Sequence, residues 1–431
     1  MRVCASYGEV PDRPAKADMH EIRLDVFDEL PSYADQNSIV TLAGKDISCV
    51  PRDFKGLVDI GESDEEIPFR KIRSVHDFEK TPSESELREI MGHGSQELSK
   101  CACRVNSFKD LHTIFEVAST TSRKHLILGM GELGTVTRIR QTLLGNDFSF
   151  GYVGKKTAEG QLSVEEMNQL GDDCRIVGII GHPLGHTMSP QMQEAAMAAC
   201  GIKGKYLKFD VENLENVEDV IREYNISGMN VTIPYKKDII EHLHSLGPAA
   251  EKMGAVNTVI NRNGDLIGAN TDYAGVLYAF KKAGRKLSAC SKVLVYGSGG
   301  ASRSAVFAAH ESGCEVYVMG RTPEKVRELC KSMDCHAVQD RSVVGYDAVI
   351  NCTPVGMKED SGYMFDLDEL SSETSVMDMV YNRKTELVKA AESKGCIIAD
   401  GKDMLIGQGA KSFELWFGVK PDTEIMRKAI F

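Results

Sequence analysis

The run Lys292-Val-Leu-Val-Tyr-Gly-Ser-Gly-Gly-Ala-Ser-Arg-Ser-Ala-Val leaves a chain few ways to fold. A short apolar strand meets a turn at Gly297, Gly299 and Gly300, and a helix opens at once with Ala301 and Ser302. Glycines at those places let the backbone turn tightly and approach a pyrophosphate, whose charge then sits at the helix N-terminus. A glycine motif alone is a weak signal, but here a second strand, Glu315-Val-Tyr-Val-Met, follows at about the expected twenty-residue distance. It ends in Gly320-Arg-Thr rather than in an acidic residue. An Asp or Glu would accept the ribose hydroxyl of NAD; Arg321, Thr322, Lys325 and Arg303 instead offer positive charge and a hydroxyl to the 2′-phosphate of NADP. The expected cofactor is NADP.

Two lysines stand out against apolar surroundings. Lys100 lies in Leu98-Ser-Lys-Cys-Ala-Cys, and Lys236 closes Gly228-Met-Asn-Val-Thr-Ile-Pro-Tyr-Lys. Burying an ammonium is unfavourable unless it is paired or its pKa falls, so each is a candidate reagent. They lie in halves of the chain with different patterning, which predicts two active sites.

At 431 residues the chain is long enough for two or three domains. The twelve cysteines are scattered rather than set in a spaced framework, as expected of reduced thiols in a cytoplasmic protein. Cys101 and Cys103 have no second pair or His cluster at ligand spacing in sequence, so no metal is expected. With 51 basic and 63 acidic residues the formal charge is −12. Without clustered Lys and Arg, a broad electrostatic footprint on nucleic acid is disfavoured. No long unbroken apolar stretch predicts a membrane span, and the N-terminus runs straight into strand-like sequence without the pattern of a signal peptide.

From Met1 to about Leu170, eight short apolar or alternating runs predict eight strands: Val3–Tyr7, Glu21–Asp25, Ile39–Leu42, Gly56–Ile60, Lys71–His76, Leu98–Cys103, His125–Met130 and Phe148–Tyr152. Eight is the number a closed parallel barrel needs. Apolar residues at helical spacing predict helices over Glu84–Ile90, Phe108–Ala118 and Val136–Leu144. The links before Ile39, Gly56 and Lys71 are too short for a full helix. The bare early strands leave an apolar flank, expected to be covered by the second half of the chain or by another subunit. Polar residues gather where a barrel would use them, at strand ends (Glu21, Arg23, His76, Lys100) and in later loops (Arg138, Gln161).

In order along this segment come Glu21-Ile-Arg-Leu-Asp, Ser74-Val-His-Asp-Phe-Glu-Lys-Thr-Pro, Lys100 seven residues before Ser107, Gly129-Met-Gly-Glu-Leu-Gly and Gly160-Gln. Together they resemble type I 3-dehydroquinate dehydratase. The resemblance implies that Lys100 forms an imine with the substrate ketone and that His76 moves protons. It also implies that Arg138 grips the substrate carboxylate, that Glu21 and Arg23 orient His76 or ring hydroxyls, and that Thr157 and Gln161 close over the substrate. An amine must be neutral to attack, so Lys100 is expected in a dry or cationic site. The chain departs from the pattern at several positions: Leu42-Ala43-Gly44-Lys45-Asp46 stands where relatives have an arginine and soon afterwards a glutamate, Gly61, beside Glu62, where they have an acid, and Thr157 where they have a serine.

After Gly171-Asp-Asp a new strand begins, and the motifs Gly181-His-Pro-Leu-Gly-His-Thr-Met-Ser-Pro, Gly228 to Lys236, Gly254-Ala-Val-Asn-Thr, Asn270-Thr-Asp, Asn351-Cys-Thr-Pro-Val-Gly-Met, Asp378-Met-Val-Tyr and Asp400-Gly-Lys-Asp-Met-Leu-Ile-Gly-Gln follow. From about Cys174 to Phe431 the chain resembles shikimate dehydrogenase. This implies that Thr187 and Ser189 bind the substrate carboxylate, and that Thr232, Asn257, Tyr381 and Gln408 bind the carboxylate or ring hydroxyls. It further implies that Lys236 and Asp272 form the catalytic pair, and that Asn351, Thr353, Met379 and Gly401 line the nicotinamide.

The expected architecture is α/β: a (β/α)8 barrel with reduced early helices over 1–171, a shikimate-dehydrogenase-like substrate domain over 172–284 completed by 402–431, and a Rossmann NADP-binding domain over 285–401. The expected function is bifunctional: dehydration of 3-dehydroquinate to 3-dehydroshikimate, then NADPH-dependent reduction to shikimate. Two alternatives stand beside it: a shikimate or quinate dehydrogenase whose barrel is weak or inert, and a non-catalytic metabolite sensor. Small-molecule substrates are the expected partners, with neither nucleic acid nor membrane, and a homo-oligomer is left open.

Overall fold

In the computed structural model of the chain, residues 1–185, 187–358, 362–381 and 383–431 are described. The chain divides into two compact units, Met1–Pro190 with Gly201–Met229 and Gln191–Cys200 with Asn230–Phe431.

The first unit opens with eight parallel strands: β1 (Val3–Tyr7), β2 (Met19–Arg23), β3 (Ser38–Thr41), β4 (Leu57–Asp59), β5 (Arg70–Asp77), β6 (Leu98–Arg104), β7 (His125–Met130) and β8 (Ser149–Val153). They hydrogen-bond in the order β7-β6-β5-β4-β3-β2-β1-β8. At the β7–β8 seam the Asn146 side chain takes over, accepting from Ile127 N and donating to Ile127 O. Successive strand residues face opposite sides, and one face supplies an apolar floor that includes Cys4, Met19, Ile39, Leu57, Ile72, Leu98, Leu126 and Phe148. Two residues on, the same faces carry Ser6, Glu21, Thr41, Asp59, Ser74 and Lys100. Alternation alone thus places Lys100 inside the barrel, one step from Leu98 and Ala102.

Among the described residues α-helices follow the last four barrel strands, α1 (Glu84–Gly92), α2 (Phe108–Thr120), α3 (Gly131–Ile139) and α4 (Val164–Leu170), while the third strand is followed by one 3-10 turn, Ile47–Cys49. Ser83, Ser107 and Ser163 start α1, α2 and α4 with capping boxes. The third helix begins five residues before the expected Val136. Gly131, at φ 83°, lets the chain turn straight out of β7, and a Cβ on Gly134 would meet the Gly129 carbonyl carbon at 2.4 Å. Arg138 therefore sits on a helix rather than in a loop. Residues 140–145 leave the helical pattern for turns.

The bare flank is covered differently from expectation. Leu24, Val40, Val50 and Val58 pack with Leu30, Ile47, Phe54, Ile67 and Phe69. The barrel's own early loops, folded back on the strands, do the work of the missing helices.

The outer surface of the late helices is where the following chain packs within this unit. Here lie β9 (Arg175–Gly181), α5 (Ser189–Ala199, which runs on into the second unit), β10 (Gly204–Asp210), α6 (Val217–Glu223) and the start of β11 (Ile226–Val231). β9 and β10 pair in parallel. Phe108 stacks on Phe209 at 5.7 Å, and the Tyr224 hydroxyl donates to Leu111 O at 2.8 Å. Buried Arg140 donates to the carbonyls of Tyr224 (2.8 Å), Asn225 (3.2 Å) and Asp172 (3.2 Å).

The second unit contains β12 (Ser245–Leu246), α7 (Pro248–Met253), β13 (Thr258–Arg262), β14 (Asp265–Ala269) and α8 (Asp272–Lys282). β13 and β14 form an antiparallel hairpin whose turn, Asn263-Gly264, takes positive φ at both residues, as a right-twisted two-residue hairpin requires. Then come β15 (Lys292–Tyr296), α9 (Gly300–Glu311), β16 (Glu315–Met319), α10 (Pro323–Met333), β17 (His336–Ala337), β18 (Ala348–Asn351), β19 (Ser375–Asp378), α11 (Glu386–Ser393), β20 (Ile397–Asp400), α12 (Gly401–Phe417) and α13 (Thr423–Lys428). β15–β20 form a parallel sheet in the order β17-β16-β15-β18-β19-β20, the doubly wound 3-2-1-4-5-6 arrangement. No helix among the described residues is long and apolar enough to cross a membrane.

Candidate active sites

The barrel encloses a cavity of about 820 Å³ whose walls include Glu21, Asp59, His76, Lys100, Arg138 and Gln161. Its centre is an ion pair: Lys100 Nζ lies 3.2 Å from Asp59 Oδ2, both side chains buried. Asp59 also accepts from the Ser74 hydroxyl (2.5 Å) and Gly61 N (3.0 Å). Burial pushes Lys100 towards neutrality, but Asp59 and then Glu21 outweigh it, so its pKa lies above that of a free lysine. Asp59 responds in the opposite sense: burial favours its acid form, yet Lys100, Ser74 and Gly61 N hold its pKa below the usual value. Lys100 is buried, as expected of a dry site, but its nearest charges are carboxylates rather than cations. Phe150 stacks under the ammonium, 4.8 Å from Nζ to the ring centroid.

Around this pair the other expected residues take distinct positions. Glu21 is fixed by the Ser6 (2.5 Å) and Thr41 (2.9 Å) hydroxyls. Arg23 reaches the cavity wall, but its guanidinium is held by Asp25 through Nε (3.1 Å) and Nη2 (2.7 Å). His76 faces the cavity with Phe78 stacked beside it. Desolvation by the walls, then the Lys100 charge, hold its pKa below that of free imidazole, against Asp59 and Glu21. Arg138 is 2% exposed. Burial lowers its pKa to about 10, and its Nε has no hydrogen-bond partner. A buried guanidinium with an unmet donor is a receptor for an anion.

The loop after β8 lies over this cavity. Gln161 Oε1 accepts from Thr157 N (3.2 Å), Thr157 Oγ1 (2.9 Å) and Ala158 N (3.2 Å). Thr157 Oγ1 is 3.3 Å from Ser6 Oγ, and Glu159 pairs with Arg104 at the end of β6. Ala43, Gly44 and Gly61 line the cavity too; a Cβ added at Gly44 or Gly61 would meet nothing within 4 Å. Gly61, a departure in sequence, thus leaves open space beside its backbone. Asp59 is the residue that sequence reasoning passed over. Its signal was the one that singled out Lys100, a charge inside the apolar run Leu57-Val-Asp-Ile.

In the second unit Lys236 Nζ meets Asp272 Oδ2 at 2.6 Å. Asp272 opens α8, where the helix N-terminus favours a carboxylate. Asn257 Nδ2 donates to Asp272 Oδ1 (2.7 Å), and Asn257 Oδ1 accepts from Thr271 N (2.7 Å) and Thr258 Oγ1 (2.9 Å). Val256 N donates to Lys236 O at 2.7 Å, setting Lys236 and Asn257 side by side. Thr232 O accepts from Tyr235 N in the turn leading to Lys236. Gln408 lies on α12, which crosses α8 so closely that a Cβ on Gly275 would meet Met404 O at 2.5 Å. Its amide donates to Leu405 O. Tyr381 is exposed. Thr187 and Ser189 belong to the first unit, where Ser189 N donates to Thr187 Oγ1 at 3.3 Å; His186 of the same motif lies outside the described residues.

The glycine turn follows β15 as expected. Gly297 has φ 127°, and a Cβ there would meet Ser302 Oγ at 2.9 Å and Thr353 Cγ2 at 3.0 Å. Gly299 and Gly300 border open space at the start of α9, and Ala301 and Ser302 form its first turn. A Cβ on Gly320 would lie 3.8 Å from the Gly297 carbonyl carbon, which brings Arg321, Thr322 and Lys325 beside the turn. Arg303 turns away along the helices to donate to Ser332 Oγ. Asn351, Met379 and Gly401 follow at the carboxyl ends of β18, β19 and β20. Asn351 Oδ1 accepts from Thr353 N and Oγ1, while its amide donates to buried Asp378 at 2.9 Å. A Cβ on Gly401 would meet Asp378 O at 2.8 Å. Nothing acidic stands at position 321, and the open glycine cradle at a helix N-terminus fits a dinucleotide carrying an extra phosphate.

Comparison with known proteins matches the same two regions. The model of the type I 3-dehydroquinase family fits residues 58–172, which include His76, Lys100, Arg138, Thr157 and Gln161. The shikimate dehydrogenase substrate binding domain fits 179–259, and the shikimate 5′-dehydrogenase C-terminal domain fits 401–431. The shikimate dehydrogenase (NADP(+)) of Carboxydothermus hydrogenoformans is 34% identical over 276 residues, covering 61% of this chain and 98% of the relative. The solved shikimate 5-dehydrogenase of Thermus thermophilus in complex with NADP(H) and shikimate is 34% identical, with a TM-score of 0.54 over 59% of this chain and 98% of that one. A quinate dehydrogenase from Corynebacterium glutamicum in complex with NAD is 29% identical, with a TM-score of 0.56 over 59% of this chain and 98% of that one. The chain belongs to the shikimate dehydrogenase family and carries a type I 3-dehydroquinase barrel ahead of its dehydrogenase domains.

Proposed function

We propose that the chain catalyses two consecutive reactions, dehydration of 3-dehydroquinate to 3-dehydroshikimate in the barrel and NADPH-dependent reduction of that product to shikimate. The observation that carries the barrel reading is buried Arg138, with a free donor, on the wall of the cavity that holds a buried lysine. Arg138 would hold the substrate carboxylate. Lys100, after giving up a proton, would add to the ketone and expel its oxygen as water, leaving an iminium. His76 would take the proton from the neighbouring carbon and return it to the departing hydroxyl, and water would release the product from Lys100. Glu21, fixed by two hydroxyls, would orient a ring hydroxyl, with Arg23 at the rim and Thr157 and Gln161 closing the loop. The Lys100–Asp59 pair favours a second reading, a slow barrel, since only the neutral amine can attack.

For the reduction, bound NADPH supplies the hydride. Gly297, Gly299, Gly300, Ala301 and Ser302 would cradle its pyrophosphate; Arg321, Thr322 and Lys325 would take the 2′-phosphate; Asn351, Thr353, Met379 and Gly401 would line the nicotinamide. Arg303, held by Ser332, would need to swing round to join them. Lys236, paired with Asp272, would stabilise the developing alkoxide and deliver its proton. Asn257, Thr232, Tyr381, Gln408, Thr187 and Ser189 would bind the ring acid. We place the domain boundaries near residues 171 and 284, and the protein in the cytoplasm, a reducing compartment suited to its twelve free cysteines.

The deciding experiment is borohydride trapping with 3-dehydroquinate, followed by mass mapping. An adduct on Lys100 is expected. If substrate binds and no adduct forms there, the barrel is inert and the slow-barrel reading gives way to a dehydrogenase with a structural barrel.

A further inference from the structure

Outside both active sites, metal-type donors converge where α2 meets the end of α6. His112 and Glu116 lie four residues apart on α2, hence on one face, and Glu223 is the last residue of α6. One donor atom from each lies within 4.8 Å of the others. His112 Nδ1 is 2.7 Å from Glu223 Oε1. The other Glu223 oxygen, Oε2, is shut off from solvent and has no hydrogen-bond partner. A buried carboxylate oxygen left bare is unfavourable, and native structures rarely keep one without a reason.

The charges nearby sharpen this. The neighbouring cations are engaged with other carboxylates: Lys109 with Glu215 (3.1 Å), Arg222 with Glu218 (3.1 Å) and Arg88 with Glu84 (2.9 Å). That leaves one imidazole and two carboxylates gathered at this spot with their donor atoms turned to one another.

We propose that His112, Glu116 and Glu223 bind a first-row divalent metal ion, with zinc the best fit to one nitrogen and two oxygen donors. Ca²⁺ and Mg²⁺ prefer all-oxygen shells, whereas Zn²⁺ takes imidazole and carboxylate together at about 2.0–2.2 Å. Modest side-chain rotations would draw the three donors from their present spread to that distance. Glu116 is exposed, so water can complete the coordination. None of the three residues lines the barrel cavity. The ion would act as a bolt between α2 and α6, beside the contact that Phe115 and Tyr224 already make.

The test uses the full chain, stripped with a chelator and titrated calorimetrically with Zn²⁺, beside His112→Ala and Glu116→Gln. One equivalent is expected in the parent protein, with affinity weakened at least about tenfold in both variants. Both enzymatic activities, unchanged in the variants, certify that they fold; Glu116→Gln, altered at an exposed position, covers the case in which His112→Ala does not. Because twelve thiols could capture zinc, Co²⁺ is titrated in parallel. A nitrogen and oxygen site gives weak visible bands without thiolate-to-metal charge transfer. Absence of binding, equal affinity in all three proteins, or a thiolate spectrum for the first equivalent would each overturn the proposal.

Discussion

Each active site sets a lysine against an aspartate, and the two pairs differ in how much water reaches them. Lys100 and Asp59 have side chains 8% and 4% exposed at 3.2 Å; Lys236 and Asp272 are 32% and 15% exposed at 2.6 Å. The same two residue types are thus turned to opposite ends. A lysine that must deliver a proton gains from a carboxylate beside it. A lysine that must attack as a free amine is hindered by one, and burial alone would have served it better. In the barrel the carboxylate wins over burial, so on the proposed mechanism Lys100 rests as an ion pair and needs a proton acceptor before it can attack. His76 stands on the cavity wall and its lowered pKa leaves a ring nitrogen free, but the same shift makes it a weak base for the proton that Asp59 holds on Lys100.

The comparison breaks most sharply with Lys100→Ala. Dehydration should fall by roughly 10⁴–10⁶-fold, the scale on which loss of a nucleophile is felt, while reduction of 3-dehydroshikimate keeps its rate. Paired assays on one preparation check this, and a modest fall would mean that Lys100 only binds. Next in size is Asp272→Asn, which leaves Lys236 without its anchor. The kcat for reduction should drop about 10²-fold and dehydration should not change; a rise in KM alone would make the pair a binding device. The smallest effect sharpens the comparison most. In Asp59→Asn the carboxylate that outweighs burial is gone, so the pKa of Lys100 falls and more of it is neutral at any given pH. The rising limb of kcat/KM for dehydration against pH should therefore move to lower pH. A limb that stays or moves up would show that Asp59 does not hold the proton on Lys100.

Much of this was legible in sequence because local periodicity carries it. Alternation marks the eight barrel strands and even the side on which Lys100 falls, and the strand–glycine–helix run at Gly297 marks the dinucleotide fold before any packing is known. Asp59 breaks its apolar run as plainly as Lys100 does, but a lone acid at a strand end does not reveal in sequence that it will meet a lysine forty-one residues on. The early start of α3 depends on Gly129 and Gly134 touching, a contact that helical spacing cannot reveal. The covering of the bare strands was misjudged for a related reason. Phe54, Ile47 and Leu30 look like loop residues one at a time, and only the folded chain gathers them over Val40 and Val58.

Arg140 gives this architecture a consequence for how it can be taken apart. Its guanidinium spends its donors on the backbone of Asp172, Tyr224 and Asn225, and it stands two residues beyond Arg138. A barrel cut free at Leu170 would strand that buried cation with no acceptors, just behind the group that should grip the substrate. The barrel thus rests part of its foundation on the chain that follows it, so the gene for the pair cannot be divided at the seam its motifs suggest without loosening the barrel.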